Sequence, residues 1–96
     1  MQVVFRELRK KNLNPRLRFT NKGAALALEV RLPFSRVIEE LEKAGAQILE
    51  RGAVVSAVLN GVQVNVEGKN AVFVSKEKLS QEARDAIISL AIVLAG

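Results

Sequence analysis

The sequence predicts an α+β fold, with a mostly antiparallel sheet and two helices packed on one face. Over 16–32 and again over 53–74, apolar residues alternate with polar ones, which is the two-residue period of strands. Over 34–51 and 79–95, apolar residues recur every three or four positions, which is the period of an amphipathic helix. Because 96 residues supply material for one core, we expect a single domain over 1–96.

The first strand pair is predicted from Arg16 onward. Polar Arg16 and Arg18 alternate with apolar Leu17 and Phe19, and the turn residues Asn-Lys-Gly follow. Since Phe19 shares a face with Leu17, we expect it in the core rather than stacked on a nucleic acid base. The preceding residues, 1–12, are ambiguous between a strand and a helical turn, and their Val-Val-Phe run favours a strand.

The first helix is predicted to follow Pro33, which is tolerated in a first helical turn. Its apolar positions run from Phe34 to Leu49, and Ser35 is a plausible N-cap if the helix starts one turn late. Gly52 stands where a left-handed residue would end such a helix. Phe34 and Phe73 fit the core.

A three-stranded meander is predicted over 53–74. Asn60-Gly61 favours a two-residue turn with positive φ at both positions, and a second turn falls at 67–70. Ser75 or Ser80 can cap the final helix.

The composition disfavours an enzyme. The chain has no cysteine and no histidine, so thiolate nucleophiles, the usual general base and the commonest metal ligands are missing. The glutamates Glu39, Glu40 and Glu42 lie on the solvated face of a helix, and no glycine-rich phosphate loop is present. We therefore expect no catalytic residue, no metal, no cofactor and no small-molecule substrate. The lack of reactive side chains also suits a thermostable protein.

No segment predicts a targeting signal or a membrane span. The most apolar run, 86–95, is far shorter than the roughly 20 residues that a spanning helix requires. We expect a cytoplasmic protein.

The positive charge is concentrated in the first quarter of the chain. Residues 1–23 carry a net charge of +6, whereas residues 24–96 carry −1. A basic N-terminal segment on a near-neutral α+β core is typical of a surface that meets phosphate, although such clusters are also found as solvated faces. The predicted nucleic-acid-binding residues are Arg6, Arg9, Lys10, Lys11, Arg16, Arg18 and Lys22.

The final helix is apolar nearly all round from Ala86 onward. A small domain has little material to cover both sides of such a helix, so one stripe is predicted to meet a second copy or a helical partner. The alternative is that the first helix and the sheet cover it entirely. The predicted interface residues are Arg84, Ile88, Ser89, Ala91, Ile92 and Ala95.

The chain from about residue 25 to 95 resembles a known family. A strand runs into Leu32-Pro33-Phe34 and a helix, a later hairpin turns at 67–69, and the final helix carries Arg84 and Ser89. This pattern is similar to the small dimerising subunit of the KEOPS complex, which makes the threonylcarbamoyl modification of adenosine in transfer RNA. The resemblance implies a non-catalytic module that dimerises, docks on the catalytic subunit through helices and helps to hold transfer RNA.

These observations favour a non-catalytic assembly subunit that docks through its C-terminal helix and contacts RNA through its basic segment. Two alternatives remain open. One is a stand-alone nucleic-acid-binding protein that uses the basic segment and the sheet edge. The other is a protein–protein interaction module whose basic segment meets an acidic partner.

Overall fold

The computed structural model describes residues 1–76 and 78–96, and it confirms the α+β prediction. Three helices and six strands occur in these ranges. In chain order they are α1 (Gln2–Lys10), β1 (Arg16–Thr20), β2 (Gly23–Glu29), α2 (Phe34–Lys43), β3 (Gln47–Glu50), β4 (Val54–Leu59), β5 (Val62–Glu67), β6 (Asn70–Ser75) and α3 (Gln81–Leu94).

The six strands form one antiparallel sheet in the order β1-β2-β6-β5-β4-β3. The predicted β1–β2 hairpin and the predicted meander of β4, β5 and β6 are both present. Asn60 and Gly61 have φ angles of 49° and 79°, as the predicted two-residue turn requires. Pairing of β2 with β6 joins the hairpin to the meander, so β1 and β3 are the two edge strands of the sheet.

The three helices cover one face of this sheet and leave the other face open. Leu8 of α1, Leu41 of α2 and Ile87 of α3 belong to one core cluster with the buried strand residues. Helix α3 packs against both other helices, whereas α1 lies by β1 and α2 by β3. At the centre of the sheet, Phe73 is fully buried between Leu26 and Val64.

The N-terminal segment is a helix, so the predicted strand there is wrong. Val4 and Leu8 lie one helical turn apart and are fully buried, since α1 packs against α3. The helix ends at a left-handed Asn12 with φ 61°, where the N–H groups of Asn12 and Leu13 donate to the carbonyls of Arg9 and Leu8 at 3.0 and 3.2 Å. The protein therefore has three helices on the covered face instead of two.

Helix α2 ends at Lys43, earlier than predicted, and residues 47–50 form strand β3. Gly45, with φ 89°, is the left-handed residue that ends this helix, so the prediction of Gly52 in this role is wrong. The N–H of Ala46 donates to the carbonyl of Leu41 at 3.0 Å and closes the helix. The chain then pairs with β4, and a register shift between Ile48 and Glu50 interrupts the pairing.

Ser80 caps α3, which confirms one of the two predicted alternatives, Ser75 and Ser80. Its hydroxyl oxygen accepts a hydrogen bond from the N–H of Ala83 at 3.1 Å. Helix α2 starts at Phe34 rather than one turn later and has Pro33 at the N-cap without a side-chain hydrogen bond, so Ser35 does not cap it.

None of the helices in the described ranges has the length and apolar character needed to cross a membrane.

Candidate nucleic-acid interface

The basic N-terminal segment folds onto one edge of the molecule. Helix α1 packs against β1, and β1 is an edge strand, so the cations of α1 and of the β1–β2 hairpin lie on the same side of the protein. All seven predicted nucleic-acid-binding residues are exposed. We call them the basic edge: Arg6, Arg9, Lys10, Lys11, Arg16, Arg18 and Lys22.

The basic edge continues around β1 from one face of the sheet to the other. Arg16 and Arg18 are paired with Ala27 and Ala25 of β2 and lie on the open face, opposite to Leu17. On the covered face, Leu17 shares a cleft with three cations of α1. These are Arg6, Arg9 and Lys10.

The charges of the basic edge are almost uncompensated. Among residues 1–76 and 78–96, Lys10 is the one member with a carboxylate within ion-pair distance, at 3.4 Å from Glu7. Arg9 lies over the ring of Phe5, with its guanidinium carbon 5.6 Å from the ring centroid. Six cations therefore project a positive potential into solvent.

On the opposite side of the molecule, the cations have carboxylate partners. Three cations of α2 and the turn after β3 are each paired with a glutamate: Arg36 with Glu40 at 3.2 Å, Lys43 with Glu39 at 3.2 Å, and Arg51 with Glu42 at 3.7 Å. The hydrogen bond to Glu39 and the negative charges of Glu40 and Glu39 raise the pKa of Lys43. The cations on the β3 side are thus compensated by neighbouring glutamates, whereas those of the basic edge are not.

Three arginines, two of which belong to the basic edge, lie where α1 ends and β1 begins. A cleft of about 550 Å³ there is lined by Arg9, Arg16 and Arg31, and we call it the arginine cleft. Arg31 lies outside residues 1–23 and was missed by the charge count. The predicted hairpin contains the signal that could have found it, because antiparallel pairing brings the residues after β2 beside the start of β1.

Phe19 lies on the surface of the basic edge, so its predicted place in the core is wrong. It is 64% exposed, because it lies near the end of the outermost strand, beyond the half-buried Leu17. Phe34, the first residue of α2, is also more exposed than predicted, at 39%. Phe73 is fully buried, as predicted.

The predicted interface on α3 is partly covered within the protein. Ala91 is fully buried and Ala95 is 8% exposed, so neither presents surface to a partner, and their assignment as interface residues is wrong. Both residues belong to the core cluster, and Ala95 lines the same cleft as Phe5 and Arg9 of α1. Burial, and then the positive charge of Arg84, lowers the pKa of the Met1 α-amino group, which places the start of α1 beside Arg84.

The other four predicted interface residues of α3 are half-buried or exposed. Arg84 and Ile88 are half-buried, and Ser89 and Ile92 are exposed, with Ile92 at 38%. Val93, which was not predicted, is 40% exposed beside them.

No cluster of three or more acidic side chains suited to a metal ion occurs in the described part of the chain. No protein-family model, curated protein or solved structure matches this chain. The resemblance to the small KEOPS subunit stays a prediction.

Proposed function

We propose that this protein is a non-catalytic RNA-binding module that holds the phosphate backbone on its basic edge. The observation that supports it most is the absence, within the described residues, of carboxylate partners for six of the seven exposed cations, while the cations of α2 are paired. A surface that keeps cations unpaired attracts polyanions, because each phosphate contact releases condensed counterions.

The kind of contact follows from the side chains available. Arginine donates two parallel hydrogen bonds to a phosphate, and the basic edge contains four arginines, Arg6, Arg9, Arg16 and Arg18. Phosphate contacts position a nucleic acid without reading its bases. We therefore expect binding that depends strongly on salt and weakly on sequence.

Phe19 favours single-stranded RNA over a duplex. Its exposed ring lies on the same face of β1 as Leu17, which shares a cleft with cations of α1, so an unstacked base can lie on the ring while its phosphate meets one of those cations. A duplex keeps its bases stacked and offers none to the ring.

The test is a charge reversal on β1, read by fluorescence anisotropy with an unstructured RNA over a range of salt concentrations. The double variant R16E/R18E removes two phosphate contacts, so its slope of log affinity against log salt should fall by roughly 1.5. A transfer RNA used as a second probe tests what the family resemblance implies.

The matched control is R51E/K69E, which lowers the net charge by the same amount on the far edge and in the β5–β6 turn. Both cations are exposed, and the one ion pair that is lost, between Arg51 and Glu42, is a surface pair of small energy. Equal loss of affinity in both double variants would show that binding follows net charge alone, and this would refute a defined basic edge.

A protein-docking role through α3 is a second candidate, which is favoured by one observation: Ile92 and Val93 lie exposed side by side near the end of α3. Sedimentation of the wild type and of Ile92→Glu tests whether this surface joins two copies. A wild-type monomer that sediments like the variant would eliminate the homodimer.

A further inference from the structure

We propose that the arginine cleft binds a phosphate monoester, such as the terminal phosphate of a nucleic acid strand or the phosphate of a free nucleotide. In the form of a strand end, the proposal rests on the proposed RNA-binding function. It adds a defined subsite with its own ligand class to a surface that otherwise contacts backbone phosphates.

The cleft is built from three separate parts of the chain. Arg9 comes from the last turn of α1, Arg16 from the first position of β1, and Arg31 from the connection between β2 and α2. The N–H of Arg31 donates to the carbonyl of Leu94 at 2.9 Å, which ties that connection to the end of α3. Each arginine is thus mounted on an ordered backbone.

The charges in the cleft match a dianion. Three arginines are among the residues that line it, together with one acidic residue, Glu29, whose carboxylate lies 4.0 Å from the guanidinium of Arg31. The net charge of +2 is equal and opposite to that of a phosphate monoester above its second pKa of about 6, whereas a backbone phosphodiester carries a single negative charge. The cleft therefore favours a terminal phosphate over an internal one.

The remaining lining suits the group attached to such a phosphate. Asparagine side chains supply neutral hydrogen-bond donors and acceptors, and Phe5, Leu13 and Leu28 form an apolar wall. A volume of about 550 Å³ is within the usual range for pockets that bind small ligands. The asparagines of the cleft are Asn12, Asn14 and Asn70.

The test compares twin ligands that differ only in the phosphate. An RNA oligonucleotide is measured with a 5′-phosphate, with a 3′-phosphate and with hydroxyl groups at both ends, and a nucleoside monophosphate is compared with its nucleoside. We expect at least one phosphorylated ligand to bind about tenfold more tightly than its twin, which is the increment of a charge-assisted hydrogen bond. That preference should weaken on going from about pH 7.5 to about pH 5.5, as the monoester gains its second proton.

The variant Arg31→Ala should abolish the preference and leave binding of the hydroxyl-ended strand unchanged, because Arg31 is not part of the basic edge. Arg9→Ala is the second variant, and Arg51→Ala, on the far side of the sheet, should retain the preference. Thermal unfolding confirms that each variant is folded. Equal binding within every pair of twins, or a preference that survives both cleft variants, would overturn the proposal.

The two proposals fail in different ways. The proposal of RNA binding through the basic edge fails if the R16E/R18E variant binds the hydroxyl-ended strand as tightly as the wild type does. The comparison of nucleoside monophosphate with nucleoside contains no strand, so its outcome does not depend on the proposed RNA-binding function.

Discussion

Phe19 and Phe73 belong to the same sheet and occupy opposite environments. Phe73 is fully enclosed between the strands on either side of β6 and the helices above, whereas Phe19 is 64% exposed on the edge strand. A buried phenylalanine contributes through the apolar area it removes from water and through close packing. An exposed one gains little of either, so a ring left in water is available for another molecule.

This difference predicts unequal costs for the same substitution. Phe73→Ala should lower the free energy of unfolding by about 3–5 kcal/mol, because it deletes a core ring and leaves a cavity. Phe19→Ala should cost no more than about 1 kcal/mol, which is the range of strand propensity. Urea denaturation followed by far-UV circular dichroism measures both. A Phe19 variant as unstable as the Phe73 variant would mean that the ring is covered in solution, for example by a second copy.

At the scale of elements, the ends of the helices are specified by a few residues each. Helices α1 and α2 end in the same way, with a left-handed residue whose N–H bonds back to the last turn, although one uses Asn12 and the other Gly45. Their beginnings differ, because only α3 has a side-chain cap among the helices of the described residues.

Ser80→Ala should therefore destabilise the protein by about 1 kcal/mol, since the N–H of Ala83 loses its acceptor. The matched change on α2, Ser35→Ala, should stay within about 0.5 kcal/mol, because Ser35 is exposed and does not cap. Thermal unfolding of the two variants gives the comparison. Equal destabilisation by both would contradict the assignment of the cap.

The elements that sequence reasoning predicted correctly have strong local signals. The β1–β2 hairpin and the meander alternate over several residues and turn at favoured dipeptides, so local pattern suffices. Helix α1 and strand β3 are short, and both depend on tertiary contacts. A Val-Val-Phe run favours a strand in isolation, yet Val4 and Leu8 gain more by packing on α3. Residues 47–50 continue a helical pattern but gain hydrogen bonds from β4.

The candidate site, too, could be predicted from the sequence only where it does not depend on tertiary contacts. The seven cations were identifiable from their clustering in the chain, because charge counts need no structure. Their arrangement around β1 depends on α1 being a helix, which the local pattern did not favour. Arg31 joins them only through the hairpin. Ala91 and Ala95 belong to the core cluster rather than to the interface, because α3 packs against α1, α2 and the sheet.

At the scale of the whole molecule, the sheet separates two kinds of charged surface. The β1 edge gathers cations with few partners, and the β3 side pairs its cations with glutamates. Because salt screens exposed charges over about 10 Å at 0.1 M, the paired side contributes little to the potential at the β1 edge. A polyanion approaching the protein is therefore drawn to one edge.

The basic segment is also part of the core, so it cannot be removed as an arm. Val4 and Leu8 are fully buried, and Met1, Phe5 and Leu13 are packed against the core cluster. Burying one such side chain contributes about 1.5–3 kcal/mol, whereas a whole domain of this size is stable by about 5–15 kcal/mol. Loss of α1 thus removes a large fraction of the stability and uncovers one side of α3.

A variant that lacks residues 1–13 should accordingly lose at least about 3 kcal/mol of its free energy of unfolding, or fail to unfold cooperatively at all. The control keeps α1 and removes only charge. Arg6→Gln with Lys11→Gln alters two exposed, unpaired cations and should change stability by no more than about 0.5 kcal/mol. Urea denaturation of both variants makes the comparison. A truncated protein with the wild-type midpoint and slope would show that α1 is dispensable, and the four cations of the basic edge before β1 would then belong to a detachable tail rather than to the fold.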